Sequence, residues 1–70
     1  MPAYEDLDYR VEEWAADWSR PIEVIARCAI LSVAAAAYGA ACLARPTGAI
    51  MLAQKARIVR QRAAGTVKPE

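Results

Sequence analysis

Seventy residues with no histidine, two cysteines and a net charge of +1 exclude several classes at once. The chain has no imidazole to serve as the commonest general base or as a metal or haem ligand, and Cys28 and Cys42 alone cannot complete a zinc site. A chain this short buries only about 60% of its unfolded surface, so stability is expected to come from partners or from a bilayer.

The first segment, residues 1–20, is acidic. From Met1 to Trp18 there are six acids against Arg10 alone. Its large apolar residues, Tyr4, Leu7, Val11, Trp14 and Trp18, recur at spacings of three and four, which predicts an amphipathic helix. Leu7, Val11, Trp14 and Trp18 then form a docking stripe. An acidic polar face is repelled by anionic lipid, so the stripe is expected to seat on a protein neighbour.

Residues 21–45 predict a transmembrane helix. Pro21 suits a first helical turn, Ser19 a cap upstream of it, and Glu23 with Arg27 an i, i+4 supporting pair. Seventeen residues without a formal charge, Cys28 to Ala44, follow. With Arg27 and Arg45 turning outward, the span is about 27 Å of helix, against roughly 30 Å of hydrocarbon core. On this reading the two cysteines lie roughly 20 Å apart, beyond the about 7 Å that a disulfide tolerates. Only Ile30, Leu31, Val33 and Leu43 are branched aliphatics, worth about 2 kcal/mol of insertion preference, so burial of the helix in a soluble bundle competes. Ser32, Ala36 and Ala40, with Gly39 beside them, make a small helix-packing face, and Ala34, Ala37 and Ala41 make a second on the opposite side. Two small faces imply two neighbours.

Arg45-Pro46 and Thr47-Gly48 break the helix. A basic helix is expected over residues 46–64 and a loose tail over 65–70. Lys55, Arg57, Arg60 and Arg62 spread around that helix, and with Arg27 and Arg45 they are the expected membrane-surface anchor. The excess of bases after the span favours a cytoplasmic C-terminus by the positive-inside rule.

The fold expected is therefore all-α: a single transmembrane helix between an amphipathic N-terminal helix and a basic C-terminal helix. No nucleotide-binding glycine pattern, Cys-x-x-Cys or nucleophile-base pair is present, so no catalysis is expected. The function expected is that of an accessory subunit helping to assemble a respiratory or photosynthetic complex of the inner membrane. Its partners would be larger integral membrane subunits and anionic lipid headgroups. It would ligate no cofactor, touching at most a lipid, quinone or pigment held by those subunits.

The order of acidic arm, alanine-rich middle and basic end also resembles the charge layout of filamentous-phage major coat proteins. That resemblance covers most of the chain but no motif. It implies continuous helices stacked as a tube, with the bases on DNA. A soluble helical hairpin folded at Pro46 is a third arrangement.

Overall fold

The computed structural model describes residues 9–65, which form a four-stranded antiparallel sheet carrying one helix. The elements are β1 (Tyr9–Trp14), β2 (Pro21–Cys28), α1 (Leu31–Ala44), β3 (Ala49–Gln54) and β4 (Arg57–Arg62). The strand order is β2-β1-β3-β4, so β1 and β3 are central and the chain crosses through α1 from one edge to the interior.

The all-α expectation is thus corrected, and the transmembrane helix with it. Residues 21–28 are strand, and α1 has 14 residues, about 21 Å at the helical rise against a core of roughly 30 Å. No helix among the described residues is long and apolar enough to cross a membrane. The amphipathic and basic helices are also replaced, by β1 and by the β3-β4 hairpin. Helices stacked as a phage-like tube need a continuity that these strands remove.

Local chemistry explains the exchange. Ile22, Val24 and Ile25 are β-branched and lose side-chain freedom in a helix. In β2, Glu23 and Arg27 stand four strand residues apart, about 13 Å, and the carboxylate bonds Arg45 instead. Ser19 caps no helix: its N–H donates to the Asp17 carboxylate at 2.9 Å in the β1-β2 turn, and the Ser19 hydroxyl first, with this N–H second, holds the Asp17 carboxyl below its usual range. β3 is apolar from Ala49 to Ala53 and buried on both sides, the pattern of a central strand rather than of a helix's first turn.

The core lies between α1 and the sheet. Val11, Ile50 and Leu52 are its fully buried large side chains. Ala34 and Ala41, two turns apart on α1, press against them. Alanine there lets the helix sit low across β1, β2 and β3, so the thin core closes without large residues from above.

Two arginines fix the end of α1. Arg45, its C-cap, bonds Glu13 of β1 at 2.6 Å and Glu23 of β2 at 2.7 Å. Those acids are direct cross-strand partners, a like-charge pair that would otherwise repel. The two carboxylates in turn push the Arg45 guanidinium above its ordinary range. Arg62, from β4, donates to the carbonyls of Cys42 (2.9 Å), Gly48 (2.7 Å) and Arg45. A helix leaves its last carbonyls without partners and its C-terminus partly negative, and a guanidinium answers both.

The β3-β4 loop is two residues, Lys55 and Ala56, with Lys55 at φ 54°. A non-glycine residue in the left-handed region costs roughly 1–2 kcal/mol. Replacing Lys55 with glycine is expected to raise stability by about 0.5–1 kcal/mol, the strain relief less the chain entropy that glycine loses on folding. A urea midpoint that stays put or falls would show that the loop is not strained.

Candidate docking surfaces

The open face of the sheet carries a polar relay at its centre. Glu12 is 7% exposed, and both of its carboxylate oxygens are occupied: Arg10 Nε donates to one at 3.0 Å and Trp14 Nε1 to the other at 3.0 Å. Arg10 also donates to the Lys55 carbonyl at 2.9 Å, which ties β1 to the hairpin tip. Met51, Ala53 and Ile58 complete a shallow hollow of about 290 Å³ beside these residues. A carboxylate with both oxygens engaged holds structure in place. Among the described residues no group of three or more metal-ligating side chains gathers.

The outer side of α1 is the larger anomaly. Its exposed residues include Ser32, Val33, Ala36, Gly39, Ala40 and Leu43, with Val33 52% and Leu43 85% exposed, and Leu31 and Ala44 at its two ends are exposed as well. No charged residue occurs anywhere in the helix. A helix on the surface of a soluble domain ordinarily turns charged or polar side chains to water, and this one turns a single serine. Tyr38 and Cys42 lie on its flank, half-buried, and burial lifts the Tyr38 phenol above its usual range.

The expected helix-packing residues Ser32, Ala36, Gly39 and Ala40 therefore share one exposed surface, while Ala34 and Ala41 are covered by the sheet. The expected docking stripe is dispersed. Val11 is buried under α1 and Trp14 lies on the opposite face, because a strand alternates sides at each residue. Trp18, in the β1-β2 turn, packs on Trp14 with ring centroids 6.2 Å apart and planes tilted by 43°, and Leu7 lies outside the described residues. The membrane-surface anchor is dispersed too. Arg45 and Arg62 are engaged at the end of α1, Lys55 is in the hairpin loop, Arg57 reaches Gln54 at 3.4 Å, and Arg27 and Arg60 are exposed on the two edge strands.

The Arg62 clamp and the Arg10-Glu12-Trp14 relay escape a helical reading of the sequence. The relay's i, i+2 spacing is the one signal for it, since alternate residues of a strand share a face. Comparison with protein-family models, with curated proteins and with solved structures finds no match to this chain.

Proposed function

We propose that this chain is a non-catalytic docking protein, a small part that helps to hold a larger protein assembly together. The observation that carries this reading is the outer side of α1, apolar from Val33 to Leu43 without one charge. Single exposed aliphatics are ordinary on a surface. A whole helix face without charge is a contact surface, because leaving it in water forgoes the burial that its side chains favour. The engaged state of Glu12 and the absence of histidine support a non-catalytic role.

Leu43→Glu tests the reading. The residue is 85% exposed and adds almost nothing to the core, so the variant should fold with a thermal midpoint close to wild type. Expressed as a tagged full chain, wild type should elute in a larger assembly and the variant as free chain. Equal elution of the two would reject α1 as the contact surface.

A further inference from the structure

The sheet ends in β2 on one side and in β4 on the other, with no further strand beside either among the described residues. An edge whose outward N–H and C=O groups are open invites another chain unless something blunts it. β2 is blunted, since it starts at Pro21 and breaks register twice in its pairing with β1. β4 has no proline and a single break, which leaves Val59 without a partner on β3.

That one break sorts the charges of the edge. Ile50, Leu52 and Gln54 alternate along β3 on the side of α1, and their partners on β4 are Arg62, Arg60 and Arg57. Arg57 and Arg60 stand three residues apart and would face opposite sides of a regular strand; the extra residue, Val59, brings them to the same side. Arg60 lies close enough to Tyr38 of α1 to oppose the rise that burial gives the phenol. The helix rests on β1, β2 and β3, so β4 projects past it as a shelf with guanidinium groups along its helix side. Arg62 is taken up by the end of α1. Arg57 reaches only Gln54, at 3.4 Å, and Arg60 makes no hydrogen bond or ion pair among the described residues. Neither β3 nor β4 contains an acid to answer them.

We propose that β4 accepts an extended acidic segment of a partner protein as a fifth strand. Backbone hydrogen bonds along about 20 Å of edge hold the segment, and its alternate side chains select it. On the helix side every second residue of the guest is an Asp or Glu, set against Arg57 and Arg60. On the other side, next to the 51% exposed Ile58, the guest presents aliphatic residues. The same charges turn away a second copy of this chain. An antiparallel β4 would place arginine opposite arginine, so the edge is closed to itself and open to a strand that carries acids. This contact is separate from the outer side of α1 and gives the docking protein a second place to hold a partner.

Peptide titration of the isotopically labelled full chain, followed by NMR, tests this. A blocked peptide alternating glutamate with valine should shift the amide signals of Arg57 to Arg62 and slow their exchange with solvent, leaving β2 unaffected. The same residues with the glutamates grouped at one end, and a short oligothymidylate, should each bind about tenfold more weakly or worse. Arg57→Glu with Arg60→Glu, both at exposed positions, should keep the wild-type fold, lose about tenfold or more in affinity for the glutamate peptide, and gain a peptide alternating lysine with valine. Equal binding of the grouped peptide or of the oligothymidylate would reduce the edge to a patch of charge and overturn strand addition. So would changes centred on β2 or on the open-face hollow, no binding at millimolar peptide, or an unchanged preference in the charge-reversed variant. Self-association of wild type that the reversed variant loses would make a second copy the occupant and overturn the acidic partner. Leu43→Glu should take up the peptide like wild type, so a failure here leaves the reading of α1 standing, and a failure of that reading leaves this one to be judged by the peptides.

Discussion

Replacing Arg62 with methionine is expected to lower the unfolding free energy by about 2–4 kcal/mol, although the residue sits on an edge strand. Methionine keeps the apolar stem but strips the donors from three carbonyls, those of Cys42, Arg45 and Gly48. Hydrogen bonds from a charged group contribute about 1.5–3 kcal/mol each, and unsatisfied acceptors under a side chain add their own desolvation term. The exposed side of the loop lets water recover part of that, which keeps the total below the sum. Lysine at this position should restore less than half of the loss, because one ammonium cannot span acceptors that a planar fork reaches together. Urea titrations of the three forms check both statements. A methionine variant within about 0.5 kcal/mol of wild type would mean that the clamp contributes no more than an ordinary surface contact.

Leu52→Ala should be as damaging or more so, at about 3–5 kcal/mol, the upper part of the range for truncating a buried leucine. Leu52 is fully buried, opposite Val11 on β1 and beneath Ala34 and Ala41 of α1. The usual relaxation, in which surrounding side chains lean into the cavity, is closed to alanines. A domain of this length holds only about 3–10 kcal/mol in all, so the variant should lose its cooperative thermal transition or show it near room temperature. Leu43→Ala is the control. At 85% exposure it should shift the midpoint hardly at all. A large loss there with a small one at Leu52 would invert the assigned inside and outside of the helix.

Part of this architecture is legible in the sequence and part is not. Of the helix expected over residues 21–45 only Leu31 to Ala44 is helix, residues 21–28 being strand, and the expected break at Arg45-Pro46 and Thr47-Gly48 is the α1-β3 connection. Its two small faces are distinguishable by periodicity alone. The strands are harder to see for physical reasons. Val11, Trp14 and Trp18 keep a spacing that fits a helical stripe, and the strand's own alternation is short, running through Tyr9-Arg10-Val11-Glu12 before Glu13 and Trp14 reverse it, so the period of two is hard to read. What decides is tertiary: β1 is paired on both sides, by β2 and β3, and only strands offer that bonding. Ile50-Met51-Leu52 is ambiguous in the same way, since a short apolar run fits a buried strand as well as a helix turn. The arginines mislead most. Read as a set they resemble a surface charge, whereas Arg45 joins two acids far apart in sequence and Arg62 reaches back over seventeen residues to the Arg45 carbonyl. Such partnerships have no local signature.

That backward reach also bears on biosynthesis. β1 forms its inner pairing with β3 some forty residues later, and the C-terminal carbonyls of α1 wait for Arg62 from the final strand. Contacts so distant along the polypeptide slow the search for the native state. A nascent chain emerging from the ribosome therefore has nothing complete to settle into until residue 62 is clear of the exit tunnel. Its apolar helix would be left to chaperones or to aggregation during that interval.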